Sequence, residues 1–254
     1  MRILNARSHV ILLHDRDKTL DKLIKELQVN CENCSLDTIC LPRGLSRSEI
    51  EGLNSVVKND AVLQRGDYIY RQGDAFKGII AIKSGAAKLV TIDSQGTEHI
   101  LNVLLPGELI GFDGLNENKH NCSAMALDVM SYCELPADQF DSLCQQIPGI
   151  ARELFKHSTE TISASQSQIV ASKRSAEEKL AMFIISLSDR LMYRGFSPLA
   201  FNIPLTRQEL GDHLGLTVET VSRMLQQLQN NELISVNRKN VEIKDLKGLR
   251  KIYS

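Results

Sequence analysis

Apolar and polar positions divide the chain into stretches of different period. In Thr19–Gln28, Leu20, Leu23, Ile24 and Leu27 recur at helical spacing. Residues 31–46, with three cysteines, Pro42 and Gly44, read as an irregular loop. Ser46-x-x-Glu49 then offers a capping box ahead of Ile50, Leu53 and Val56, so a helix is expected to start there. From about residue 61 to 136 the period shortens. β-rich runs at Tyr68–Tyr70, Ile79–Ile82, Ala87–Ile92 and His99–Leu104 are punctuated by Gly66, Gly73, Gly85, Gly96, Gly107 and Gly111. Many short strands with glycine turns predict a closed antiparallel roll or sandwich, with Asp93–Gly96 at a hairpin tip.

Helical spacing returns after Pro148, which suits the first turn of a long helix reaching about Ser172. Ser175-x-x-Glu178 opens a second helix that ends near Gly195. Thr206–Leu214 and Thr217–Asn230 read as two helices around a turn at Gly215. Leu233–Val236 and Val241–Ile243 form a hairpin around Asn237–Asn240. That order of elements is a winged helix-turn-helix. In such a motif the first turns of the second helix enter the DNA major groove. Thr217, Glu219, Thr220, Ser222 and Arg223 cluster there. Arg can bond guanine O6 and N7, and Glu can accept from cytosine N4. Arg238 and Lys239 in the wing suit phosphates. The plainer reading is an amphipathic helix pair with Glu219–Arg223 as a weak surface ion pair.

Charge changes the picture more than composition does. The 254 residues are ordinary in apolar and charged content, at 43% and 24%, which excludes a disordered or collagen-like chain. Net charge is only −1, but residues 171–254 carry 13 Lys+Arg against 9 Asp+Glu, whereas residues 1–170 carry 17 against 22. A basic C-terminal part fits a polyanion partner. The longest apolar run, Leu180–Ile185, is far short of the ~18 residues a membrane span needs. No export signal is visible, so a cytoplasmic protein with reduced thiols is expected.

Six cysteines are then free thiols, redox thiols or metal ligands. Cys31-x2-Cys34-x5-Cys40 puts three thiolates in one short loop, and a fourth ligand would come from Cys122, Cys133 or Cys144. Spacing alone leaves zinc and iron–sulfur open, and does not choose the fourth residue. A dithiol redox enzyme using Cys31 and Cys34 is a weaker third reading, because no βαβ pattern surrounds them.

Leu214–Arg223, with Val218-Glu219-x-x-Ser222-Arg223, resembles the recognition motif of the CRP/FNR family of bacterial transcription regulators, on the FNR side. The similarity runs from residue 31 to about 245. It implies an α+β architecture: residues 1–45 as an N-terminal segment with the cysteine loop, 46–147 as a β-roll of the cyclic-nucleotide-binding kind, 148–174 as a dimerisation helix and 175–254 as a winged helix-turn-helix. It also implies an oxygen-responsive regulator, not an enzyme, holding an oxygen-labile four-iron, four-sulfur cluster. Ser131–Pro136 matches the family's fourth ligand position, which makes Cys31, Cys34, Cys40 and Cys133 the ligand set and leaves Cys122 and Cys144 as small hydrophobes. Asn33, Ser35 and Ile39 lie between the ligands as either tuning residues or loop filler.

The same resemblance implies a homodimer reading a palindrome similar to TTGAT-N4-ATCAA, with the tip near Gly96 facing RNA polymerase. Family-style alignment puts Phe112 and Cys122 where a cyclic-nucleotide site needs an acid and an arginine, so no cyclic nucleotide is expected. His99 and His120 in the roll leave haem sensing as an alternative, but each is expected to be a surface histidine rather than a ligand. Phe155, Ile162, Ile169 and Ala176 alternate with Ser158, Ser165 and Ser172 as a heptad seam. Phe155, Ile162, Ser165 and Ile169 are its expected contacts. Half of that seam is serine, so dimerisation is expected to be marginal. Family members often carry an acid in this seam; the aligned position here is Ser165, and Glu160 falls outside it.

Overall fold

The computed structural model describes residues 31–59 and 62–253. The amphipathic stretch Thr19–Gln28 lies outside them. The first helix, α1 (Arg47–Asn54), starts where the capping box puts it, with the Ser46 amide donating to the Glu49 carboxylate at 2.7 Å. Eight short strands follow: β1 (Lys58–Asn59), β2 (Tyr68–Tyr70), β3 (Gly78–Ser84), β4 (Ala87–Ile92), β5 (Glu98–Leu104), β6 (Leu109–Ile110), β7 (Ser123–Ala126) and β8 (Ser131–Pro136). They form two antiparallel four-stranded sheets, ordered β1-β8-β3-β6 and β2-β7-β4-β5. The Asp93–Gly96 tip closes β4 to β5, with the Asp93 amide on the Thr97 carbonyl at 3.0 Å.

Strand β3 is buried on both faces, and that decides where the cysteines go. Ile80 and Ile82 face the interior between the sheets with Tyr70, Ala124 and Met130. Ile79 and Ala81 face outward, into a second core with Leu53 of α1, Leu143 of α2 (Phe140–Gln146), and Ile150 and Leu154 of α3 (Pro148–Ala171). Cys31, Cys40, Cys133 and Cys144 pack against this second core.

Helix α4 (Ala176–Tyr193) has the expected capping box, with the Ser175 amide donating to Glu178 at 2.9 Å. The winged helix-turn-helix is α5 (Arg207–Leu214), α6 (Val218–Asn230), β10 (Ile234–Asn237) and β11 (Asn240–Ile243). Gly215 ends α5 at φ +64°, and the chain turns so tightly that a Cβ on Gly211 would meet the Leu216 carbonyl at 2.6 Å. Strand β9 (Ala200–Asn202) joins the wing as a third strand, and α7 (Leu246–Lys251) packs against α4, with Leu249 in the C-terminal core and Arg250 paired with Asp189 at 2.6 Å; neither stands out in the pattern.

The C-terminal part sits against the roll. Leu180, Ile184 and Leu187 of α4 share one apolar cluster with Val90, Ile100 and Val103 of the roll. Polar contacts line its edge. Buried Lys88 bridges Glu98 at 2.8 Å and Glu209 of α5 at 3.3 Å, and Glu108 accepts from Arg190 at 2.9 Å and Arg194 at 2.7 Å. The His213 ring is 3.2 Å from the Ile100 carbonyl and edge-on to Phe183. Burial holds His213 below its ordinary pKa of 6.5, with Arg190 pushing the same way and the Ile100 carbonyl opposing. Its contribution to stability is therefore complete above pH 6.5 and falls as the pH drops below it, because the unfolded chain takes up the proton that the fold refuses. Thermal melts at pH 7.5 and 5.5 check this: His213→Gln is expected to lose less stability on acidification than the parent. An equal loss in both would remove His213 from the account.

Candidate functional site

Four cysteines from two distant parts of the chain line one cavity. Cys31, Cys34 and Cys40 come from the loop, and Cys133 comes from β8, where it lies opposite Ala81 on the outward face. Leu36, Pro42, Val57 and Leu135 complete an apolar lining beside Asn54, Asp37 and Lys83. The loop is pinned at its start by the Cys31 amide donating to Asn54 Oδ1 at 2.8 Å. It is wound on itself by turns such as Cys40 to the Leu36 carbonyl at 2.9 Å, with Leu36, Ile39 and Leu41 buried beneath.

The thiols feel one another. Burial pushes Cys31 up to about 11, and Cys133 and Cys34 push it further in the same direction, with Lys83 opposing. Burial pushes Cys40 to about 12, again with Cys31, Cys133 and Cys34 adding. As bare thiols, Cys31 and Cys40 keep their protons. A cationic centre among them would reverse that, because it pays for deprotonation with metal–thiolate bonds. Four sulfur donors around one small apolar cavity thus fit an iron–sulfur cluster or a tetrathiolate metal. Among the described residues, no three Cys, His, Asp or Glu side chains already stand in a metal-holding arrangement.

Cys122 and Cys144 are elsewhere. Cys122 is buried between the sheets, where its thiol donates to Asp113 at 3.6 Å and burial pushes it to about 12. Cys144 is half-buried on α2. The expectation of two surface histidines needs correction. His99 is exposed and paired with Asp93, but His120 is only 3% exposed. Its ring stacks on Tyr70 at 3.6 Å, edge-on to Phe76, and contacts Asp113 at 3.3 Å. Nothing local in the sequence marks this, since the three partners come from separate strands and turns.

On α3 the two halves differ. Ile150, Glu153, Leu154 and His157 are buried, Ile150 and Leu154 in the core on the outward face of the roll, whereas every residue from Thr159 to Val170 is exposed. Phe155, Ile162 and Ile169 of the expected seam are 75%, 58% and 65% exposed. The seam serines fold their hydroxyls back onto their own helix: Ser158 to the Leu154 carbonyl and Ser165 to the Thr161 carbonyl, both at 2.9 Å.

At the recognition helix, Thr217 caps α6 by accepting from the Thr220 amide at 3.2 Å. Thr217, Glu219 and Arg223 are exposed, and Thr220 and Ser222 are half-buried. Glu219 is held below its usual range by its own amide and the Thr217 hydroxyl, not through an ion pair with Arg223. Arg238 occupies the left-handed region in the wing turn at φ +56°. The Lys239 ammonium donates to the Pro204 carbonyl at 3.0 Å, so this wing cation is tied to its own domain.

The structure also brings out residues the sequence pattern did not single out. Arg43 bonds Glu153, Glu160 and Tyr193 together, and Glu108 gathers Arg190 and Arg194. Such pairs span tens of residues and leave no periodic signature.

Residues 178–252 match the Crp-like helix-turn-helix domain, and residues 61–147 match the cyclic nucleotide-binding domain. The chain is 39% identical over 225 residues to the transcriptional activator protein Anr of Pseudomonas protegens, covering 88% of this chain and 92% of that one. It is 36% identical over 225 residues to the fumarate and nitrate reduction regulatory protein of Yersinia pestis, covering 88% and 90%. Among solved structures, FixK2 from Bradyrhizobium japonicum matches with a TM-score of 0.71 at 21% identity, over 78% of this chain and 98% of that one, which shows the shared fold. Together with the roll, the long helix and the winged helix-turn-helix, these likenesses establish that the chain belongs to the Crp/Fnr family of transcription regulators and is a DNA-binding protein, not an enzyme.

Proposed function

We propose that this chain is an oxygen-responsive regulator of anaerobic metabolism genes, acting as a cytoplasmic homodimer with a four-iron, four-sulfur cluster on Cys31, Cys34, Cys40 and Cys133. The observation that carries it is the meeting of these four cysteines around one cavity, in a chain similar to Anr and to the fumarate and nitrate reduction regulators. When bound, the cluster supplies oxygen-labile chemistry. The protein's own residues hold it: the cysteine loop folds three thiolates over the outward face of the roll, β8 brings the fourth, and Leu36, Val57 and Leu135 exclude water. The long helix pairs through its exposed seam, and two winged helices then meet two half-sites of a palindrome similar to TTGAT-N4-ATCAA. RNA polymerase is met near Gly96, at the tip of the β4–β5 hairpin.

The roll serves as a body between these parts and takes no cyclic nucleotide. Cys122 stands where the resemblance puts a phosphate-binding arginine, and it donates to the Asp113 carboxylate, whose charge repels a phosphate. Anaerobic purification tests the whole reading. Brown protein with iron and sulfide in equal amounts, losing both colour and DNA affinity in air, is expected. Colourless protein holding zinc would overturn the cluster and leave a zinc-stabilised regulator.

Base recognition has its own test. Arg223→Ala is expected to cost about 1–3 kcal/mol at the specific palindrome and to relax preference at one guanine. Lys239→Ala should weaken all DNA alike and flatten the salt dependence, once the ammonium leaves the Pro204 carbonyl for a phosphate. Titrations against the palindrome and a scrambled duplex separate the two. An equal loss on both duplexes for Arg223→Ala would remove it from base reading.

A further inference from the structure

We propose that Arg43 is the positioning residue through which the cysteine loop sets the place of the long helix and of the end of α4. What fills the cavity rests on the function proposed above; the mechanical link does not. Arg43 lies three residues beyond Cys40, between Pro42 and Gly44, and Gly44 takes φ +77° to turn the chain there. Its guanidinium has three partners in three directions. Nε donates to Glu153 at 3.0 Å, one terminal nitrogen pairs with Glu160 at 3.3 Å, and the other donates to the Tyr193 hydroxyl at 3.3 Å.

Glu153 and Glu160 are two turns apart on one face of α3, with buried His157 between them. Phe155 and Ile162, the first apolar residues of the seam, lie on another face. Arg43 therefore grips the helix behind the start of the seam. Tyr193 is the last residue of α4, the helix that enters the C-terminal core. The loop reaches that helix by a second route. Ile39, beside Cys40, presses so closely on Gly107 that a Cβ there would lie 2.9 Å from it, and the next residue, Glu108, holds Arg190 and Arg194.

A planar guanidinium can serve three partners at once, which an ammonium on a flexible stem does not reproduce. Glu153 is only 3% exposed, and its remaining ion-pair partner is Lys156. Removing Arg43 alone would leave this buried carboxylate with Lys156 only, so the test pairs it with a neutral partner. Arg43→Lys keeps the charge but not the fork, and Arg43→Met with Glu153→Gln removes both charges.

The full chain and both variants are reconstituted anaerobically with iron and sulfide. Iron and sulfide content, dimerisation by sedimentation, and amide hydrogen exchange are then read with and without the cluster. Both variants are expected to take up as much iron and sulfide as the parent. The ratio of dimer association constants, loaded over cluster-free, is expected to fall at least tenfold. In the cluster-free chain, amides of residues 153–160 and 190–196 should exchange at least fivefold faster in Arg43→Lys. A parental ratio in either variant, loss of iron uptake in both, or unchanged exchange would each overturn the proposal. If the parent itself takes up no iron, the cluster reading falls, and the exchange comparison still decides whether Arg43 makes the link.

Discussion

Cys133→Ser is expected to leave a folded chain that assembles no stable cluster, and so stays without specific DNA affinity under anaerobic conditions. Serine keeps the size of the side chain but offers a hydroxyl, a poor ligand for iron beside thiolates. Cys133 is also the one expected ligand that comes from the roll, paired in register with Ala81, so losing it removes the thiolate through which a cluster would join the loop to the sheet. The same outcome is expected for Cys31, Cys34 and Cys40. Cys122→Ser and Cys144→Ser are the controls: Cys122 faces Asp113 inside the roll, and Cys144 sits on α2, neither lining the cavity. Iron and sulfide per chain after anaerobic reconstitution is the measurement. A full complement in Cys133→Ser would sink the ligand set, and loss in Cys122→Ser would point to a different fourth donor.

Ser165→Leu is expected to dimerise and bind DNA in air, without a cluster. The exposed seam offers Phe155, Ile162 and Ile169, one apolar side chain every seven residues. The serines between them neither help much nor hinder. Ser165 satisfies its hydroxyl on the Thr161 carbonyl and can enter a dry interface without an orphaned donor, but it buries little apolar area. A fully buried leucine contributes about 1.5–3 kcal/mol, and each chain of the dimer brings one. Moving a two-state equilibrium from one side to the other takes about 5.5 kcal/mol, so two such side chains reach that range. Sedimentation and DNA titration of the cluster-free variant decide it. If the variant stays monomeric in air, or if the unmodified cluster-free chain is already a tight DNA-binding dimer, a weak seam is not the switch.

Local order was legible in the residues because its causes are local. The capping boxes at Ser46 and Ser175 place two helix starts to the residue, since a side chain three positions on satisfies amides the helix itself cannot. Gly215 and the Thr217 cap mark the turn and start of the recognition helix for the same kind of reason. The shortest pieces were not legible. β6 is two residues long, and a pattern of period two needs more than that to be seen. Strand β9 and helix α7 take their places from partners distant in sequence, the wing strand β11 and helix α4.

The sequence by itself determined the family, the winged helix-turn-helix and three cysteines held together by a short loop, because motif and spacing are properties of neighbouring residues. Spacing alone left the fourth cysteine open and the resemblance named Cys133; the tertiary structure supplies the physical reason it shares their cavity while Cys122 and Cys144 do not, since strand register chooses which face of β8 it lies on. It also decided that His120 is buried on Tyr70, that Lys239 is tied to Pro204, and that Arg43 holds two helices at once. Each of these depends on a partner dozens of residues away or on a different strand or turn. Burial and ion pairing are set by which surfaces the packed core brings together, and no window of neighbouring residues contains that information.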